Sequence, residues 1–324
     1  MGYRIKTILA RHASSFYWLG RYQERAEFLA RYLQVKYFST MDSNMIEYRD
    51  LTMRSISYMA TGIPPQEEGL KETDIIWNVA INPQSTTSIL YYLKEVRENT
   101  KGVRNLISNE LWESVNKNFH FANNFNSDYL KSRGLYEFTH GVQENSDSFH
   151  AKLDSTLLHD NVWAFVKMGI YLERIYQTTR GLMNTFIDIR ALRGEHENLT
   201  VENHQWLMML NAMEATDMTR KLFKTSVQQS NSCQFLIFNL EFPRSIAHGF
   251  SKINELLCKI NDTQDFNHLA KDSLQFKSAK IASQMRYSDY CEIENGVEKY
   301  LEYIMSQVFI FNDLIHKEFF DYKK

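Results

Sequence analysis

The chain reads as a succession of helices. From Ala13 to Ser39 the large apolar residues Trp18, Tyr22, Leu29 and Leu33 recur at four- and seven-residue intervals, the spacing of one helical face. A second helical stretch runs from Met41 to Ala60 and stops at Thr61-Gly62-Ile63-Pro64-Pro65, the clearest loop in the sequence. Asn82-Pro83 has the form of an N-cap followed by proline at the first helical position, and the helix it predicts continues to Thr100. Lys101-Gly102 marks a break or a close contact, and helix resumes around Leu111-Trp112-Glu113. Asn116 to Asn145 is polar, the least regular part, and is expected to connect two halves. Helix is expected again from Ser155 to Ile189, from Val201 to Gln229 and from Tyr287 to Tyr322, with a charged loop over Arg190–Thr200. Phe242-Pro243-Arg244-Ser245 opens one more helix.

Composition narrows the class. Only 4 Pro and 12 Gly occur in 324 residues, too few chain-breakers for the many tight turns of a sandwich or barrel. The predicted fold is therefore all-α, a helical bundle, as one domain over 1–324 whose halves are roughly 1–150 and 151–324. A net charge of −2, well mixed along the chain, argues against nucleic acid as a partner. No apolar run approaches the ~20 residues needed to span a bilayer, so no membrane association is expected. The first residues lack the apolar core of a signal peptide, and Lys6 stands where myristoylation after Gly2 needs Ser or Thr. Three scattered cysteines, Cys233, Cys258 and Cys291, suit a reducing compartment, and a cytoplasmic protein is the expectation.

One internal match stands out. Sliding the sequence by 149 residues lays Phe16–Leu33 over Phe165–Leu182 with seven identities: Phe16/Phe165, Gly20/Gly169, Tyr22/Tyr171, Glu24/Glu173, Arg25/Arg174, Arg31/Arg180 and Leu33/Leu182. About one is expected by chance, so a duplication is the simpler explanation. On a helix, Tyr22, Arg25 and Leu33 share one face with Trp18 and Leu29, while Phe16, Gly20, Glu24 and Arg31 lie opposite. Repeated residues thus point both ways, which predicts central helices with neighbours all round. Gly20 and Gly169 suggest close approach of a helix or ligand. Adjacent residues diverge by 100°, so Glu24 and Arg25 cannot pair with each other. The expected arrangement crosses the repeat: Glu24 with Arg174, and Glu173 with Arg25. Such a network fixes helix register, or it lines a binding site.

The stretch Tyr17-Trp18-Leu19-Gly20-Arg21-Tyr22-Gln23-Glu24-Arg25-Ala26-Glu27 resembles the opening of the bacterial Alpha-E family, an all-helical domain of unknown function with a Glu-Arg motif. Further blocks fit in order: Asn82-Pro83-Gln84-Ser85; Arg97-Glu98-Asn99 with Arg104 and Trp112-Glu113 up to Asn116; and Phe242-Pro243-Arg244-Ser245-Ile246. There are departures. After Arg174 such proteins continue with Ala and an acidic residue, where this chain has Ile175-Tyr176, and Thr86 and Thr100 replace commoner residues. The resemblance implies a companion of circularly permuted ATP-grasp ligases and transglutaminase-like peptidases, working in a peptide- or amide-forming modification system. It supplies no catalytic residue.

Candidate binding residues are Glu24, Arg25, Arg31, Glu173, Arg174, Arg180, Asn82, Ser85, Arg97, Glu98, Asn99, Arg104 and Arg244. Arg97 and Arg104, seven apart, would share a helical face suited to a carboxylate or phosphate. Arg244 at a helix start could hold an anion. Solvated helix faces and capping are the plainer roles for these. No metal and no cofactor is expected: Glu137-Phe138-Thr139-His140 lacks the second Glu-x-x-His of a di-metal bundle, Glu195-His196-Glu197 with Glu202 and His204 reads as a solvated loop, and no phosphate-binding loop or nucleophile elbow occurs. The leading expectation is an accessory or binding subunit of an ATP-grasp-type ligase or its peptide substrate. The alternatives are an enzyme using a Glu-Arg polar cavity on a peptide or nucleotide, and a plain helical scaffold.

Overall fold

A computed structural model describes residues 8–39, 46–63, 71–130, 134–192, 199–261 and 270–321. Among these residues there are fourteen α-helices and no strands. The first helix, α1 (Ala10–Ser39), is followed by α2 (Ile46–Thr61), α3 (Glu72–Ala80) and α4 (Ile89–Lys101). Then come α5 (Asn109–Asn123), the single turn α6 (Ser127–Tyr129), α7 (Leu135–Thr156) and α8 (Asn161–Leu192). The remainder is α9 (Leu199–Ala212), α10 (Thr216–Phe223), α11 (Gln229–Phe238), α12 (Ile246–Asn261), α13 (Leu274–Tyr287) and α14 (Val297–Ile315).

The two longest helices, α1 and α8, form the centre. More than half of each is buried, and the buried residues are polar as well as apolar and lie on every side. α4, α7 and α9 pack on α1, and α2, α12 and α14 pack on α8. The two central helices cross at their glycines. A Cβ on Gly20 would collide with the Val166 carbonyl oxygen and sit 3.0 Å from Ile170 N; one on Gly169 would collide with the Tyr17 carbonyl oxygen and sit 3.1 Å from Arg21 N. Close backbone approach is the compensation for two glycines in helix interiors. The contacts correspond under the 149-residue offset, Tyr17 with Val166 and Arg21 with Ile170, which is the relation a duplication would leave.

Several sequence expectations need correction. Asn82-Pro83 does not open a helix. The chain turns over 82–88, with Asn82 Oδ1 accepting from Gln84 N at 3.0 Å, and the helix starts at Ile89 behind Ser88, whose hydroxyl accepts from Tyr91 N at 3.1 Å. A serine before an apolar run is the stronger start signal, since proline fits a turn equally well. The polar stretch 116–145 is mostly helical, in α5 and α7, because each helix buries an apolar face (Leu111, Val115 and Ala122; Phe138, Val142 and Phe149). Asn116 Nδ2 and Asn145 Nδ2 are satisfied within the helix by Trp112 O and Gly141 O. The helix does not resume at Ser155; α7 ends there and α8 starts at Asn161 after a short turn. Val201–Gln229 is not one helix: Glu214 (φ 54°) separates α9 from α10, Lys224 (φ 55°) closes α10, and Gln229 starts α11, the two left-handed residues coming without glycine to signal them. Likewise Tyr287 closes α13, and residues 288–296 separate it from α14. Residues 41–45, 64–65 and 322 of the predicted elements, and the Glu195-His196-Glu197 cluster, lie outside the described residues.

Candidate functional site

The Glu-Arg residues pair across the central crossing. Arg25 binds Glu173 with both arms of its guanidinium, Nε to Oε1 at 2.7 Å and Nη2 to Oε2 at 2.9 Å. Arg174 Nε lies 2.8 Å from Glu24 Oε1. Both carboxylates are sealed, Glu173 at 0% and Glu24 at 2% exposure, whereas the arginines reach the edge of the core. The two pairs stand in different surroundings.

Around Glu173 positive charge prevails. Arg21 Nε donates to Glu173 Oε2 at 2.5 Å, and Gln177 Nε2 to Oε1 at 2.7 Å. Arg21 also donates to Tyr17 Oη and Asn312 Oδ1, which tie it to α14. Burial works against the ionised Glu173, but Arg25 and Arg21 outweigh it and hold its pKa at about 2. On the outer side Arg25 lies over the Tyr92 ring, 5.3 Å from its centroid, and borders a cleft of about 180 Å³. Arg180, Tyr176, Gln177, Thr86 and Thr87 line the same cleft. Arg180 donates to the Tyr58 carbonyl and to Tyr176 Oη (3.2 Å), while its buried Nε has no hydrogen-bond partner. Gln177 Oε1 is unpartnered too. Among the described residues, three guanidiniums here answer to one carboxylate.

Around Glu24 the charges are mixed. Glu27, one turn along α1, shares its strip of helix with Arg31, whose Nη1 donates to Glu27 Oε1 at 3.1 Å and whose Nε donates to Ala212 O. Arg244, from the turn before α12, reaches Glu27 Oε1 (3.3 Å), Glu24 Oε1 (3.7 Å) and Glu214 (2.5 Å). His150 of α7 closes the other side, with Nε2 2.7 Å from Glu27 Oε2. Burial opposes ionisation of Glu27, yet His150, Arg244 and Arg31 together hold its pKa well below the usual carboxylate range. Four buried polar atoms converge here without hydrogen-bond partners: Glu24 Oε2, Arg31 Nη2, Arg174 Nε and Arg244 Nη1. For Arg174 the 2.8 Å contact is an ion pair off the N–H direction.

The chain belongs to the Alpha-E family. The family model, described as a predicted alpha-helical domain with a conserved ER motif, matches residues 8–320. No curated protein and no solved structure matches the chain. The Alpha-E fold thus brings seven of the sequence candidates, Glu24, Arg25, Glu173, Arg174, Arg31, Arg180 and Arg244, to the two clusters at the central helices.

The other candidates are placed differently. Asn82 and Ser85 shape the turn that presents Thr86 and Thr87 to the cleft, with Ser85 Oγ 3.1 Å from Thr87 Oγ1. Arg97 and Arg104 do not share a helical face, because α4 ends at Lys101; they meet at Trp112 instead, 6.0 and 5.7 Å from its ring. Arg97 bonds Asn116 Oδ1 (2.8 Å) and Glu98 (3.3 Å), Arg104 bonds Asn109, and Asn99 bonds back to Glu95 O. These are local helix and corner contacts. Glu137 and His140 fall on α7, bonded to Tyr129 and facing Glu144 respectively, and His204 lies 3.2 Å from Tyr48 Oη. Sequence reasoning missed Arg21, Glu27, His150, Gln177 and Glu214. Only Glu27 carried a local signal, at i+3 from Glu24 and i−4 from Arg31. No helix among the described residues is long and apolar enough to cross a membrane.

Proposed function

We propose that this Alpha-E chain is an accessory, substrate-holding subunit of a cytoplasmic peptide- or amide-modifying system, acting beside an ATP-grasp-type ligase or a transglutaminase-like peptidase. The observation that supports a binding role is the cleft beside Arg25 and Arg180. Two guanidiniums, backed by Arg21 and answered by the single carboxylate of Glu173, favour an anionic group such as a peptide carboxylate or a phosphate. Threonine and tyrosine hydroxyls on the rim offer neutral hydrogen bonds beside that charge. A plain scaffold would seal all four Glu-Arg side chains; here only the glutamates are sealed.

An enzyme in its own right is the second reading. It is favoured by Glu24 Oε2, a buried carboxylate oxygen without a donor, 4.0 Å from His150 Nε2. Reconstitution separates the two. The ligase is assayed for amide product and ATP turnover with and without this chain, and with Arg180→Gln. An accessory role requires product formation to rise on addition of the wild-type chain and to fall with Arg180→Gln. Ligase activity indifferent to the chain would refute it.

A further inference from the structure

The cluster around Glu24 has a geometry that the binding cleft does not use. Each of its two inner carboxylates divides its oxygens. Glu24 Oε1 and Glu27 Oε1 face the guanidiniums of Arg174, Arg31 and Arg244. Their Oε2 atoms face His150, whose Nε2 lies 2.7 Å from Glu27 Oε2 and 4.0 Å from Glu24 Oε2, and the three atoms all fall within 4.8 Å of one another. In the plane of the three atoms the equidistant point is about 2.0–2.4 Å from each, close to the ~2.0–2.2 Å of a Zn²⁺ bond to imidazole or carboxylate. The triangle therefore accommodates a dehydrated cation.

We propose that Glu24, Glu27 and His150 form a binding site for one divalent first-row cation, Zn²⁺ or Mn²⁺. Glu24 Oε2 points to a ligand independently: its residue is 2% exposed and the atom has no hydrogen-bond donor. A cation supplies the missing partner and replaces the proton between His150 and Glu27. The arginines fit this arrangement. By holding the far oxygen of each carboxylate they orient the near one, as outer partners of metal ligands do. The local charge also favours a cation: counted without His150, four carboxylates, Glu24, Glu27, Glu214 and Asp147, stand against three guanidiniums, Arg31, Arg174 and Arg244, which leaves the cluster at −1. Asp147, one turn from His150, senses that surplus: its pKa is raised by burial and then by Glu27 and Glu214. One imidazole with two carboxylates suits zinc or manganese better than thiophilic metals.

The test uses the full chain, stripped with a chelator and dialysed, titrated with ZnCl₂ by calorimetry and with MnCl₂ by electron paramagnetic resonance. One equivalent is expected to bind in the micromolar range or tighter. His150→Ala, at the edge of the core, is expected to weaken binding at least ~100-fold while circular dichroism stays unchanged, and Glu27→Gln to do the same. Glu24→Gln joins them where it folds. Manganese avoids the exposed thiol of Cys291. The site is overturned by folded wild-type protein that binds neither ion below millimolar concentration. Equally tight binding by His150→Ala and Glu27→Gln also overturns it.

Discussion

Glu173→Gln isolates the energetics of the central crossing. The substitution keeps the shape and an acceptor oxygen for Arg21, Arg25 and Gln177, and removes the charge. Two routes give its magnitude. Breaking a buried ion pair by neutralising one partner costs about 3–5 kcal/mol, because the other charge is left buried. Independently, a shift of the Glu173 pKa from 4.5 to about 2 corresponds to about 3 kcal/mol of folding free energy at neutral pH. With the side chain fully enclosed, solvent screening does not reduce that figure. The pH dependence has a definite sign. A depressed folded-state pKa gives stability that is present above pH 4.5 and lost as pH falls toward about 2, so by pH 3 about 2 kcal/mol of it is gone. Urea denaturation of wild type and variant, followed by circular dichroism at pH 7, 5 and 3, measures both effects. The gap between the proteins should be about 3 kcal/mol or more at pH 7 and pH 5, and should shrink by more than half at pH 3. A gap below about 1 kcal/mol at pH 7, or one that is flat down to pH 3, would refute the account.

The glycine crossing makes a paired prediction. Gly20→Ala and Gly169→Ala each drive a methyl into a backbone carbonyl and should lower stability by about 1–3 kcal/mol or more, whereas Gly102→Ala, with its nearest contact at 3.6 Å, should be neutral or stabilising by up to ~1 kcal/mol in the same melts. Lys36→Met should cost about 3 kcal/mol or more, read as a loss of thermal stability, since it strands Asp188, bound to Lys36 Nζ at 2.7 Å and 3% exposed. Tyr176→Glu should leave the fold intact, pair with Arg180 and abolish binding of inorganic phosphate in the cleft; phosphate titration by calorimetry decides it, and unchanged affinity would count against an anion site.

Much of the central geometry was legible because it follows from local rules. Helical periodicity found α1 and α8, the offset of 149 matched them, and the 100° divergence of neighbours forced Glu24 and Arg25 to seek partners on another helix. Those partners, at 2.8 and 2.7 Å, are the ones the offset names. His150, Glu214 and Arg244 reach the same cluster through tertiary packing of α7, the α9–α10 corner and the start of α12, and no sequence period records which helix lies against which. Breaks hidden in ordinary residues were illegible for a related reason. Lys224 takes a left-handed conformation that lysine seldom adopts, closing α10 with its N–H donating to Arg220 O. His150 approaches Glu24 and Glu27 from a different helix, a juxtaposition that no Glu-x-x-His spacing within one helix signals.

The offset also explains why two similar pairs have such different surroundings. Under it Glu24, Arg174 and Arg31 correspond to Glu173, Arg25 and Arg180, so both clusters share a carboxylate and two guanidiniums. They differ at two further positions. Arg21 bonds Glu173, and its counterpart is the apolar Ile170; Glu27 bonds Arg31, and its counterpart is Tyr176, which takes a hydrogen bond from Arg180 instead. The first exchange adds a positive charge beside Glu173 and the second withholds a negative one. These two exchanges account for two units of the charge difference between the sites, and Arg244, Glu214 and Asp147, which reach only the Glu24 cluster, account for the third. Tyr176 is also where the chain departs from the acidic residue expected after Glu-Arg. If the halves arose by duplication, as we propose, that departure is what turned one ancestral site into a cationic cleft suited to an anion. The other site holds both Glu24 and Glu27 beside His150, the triangle proposed above for a cation.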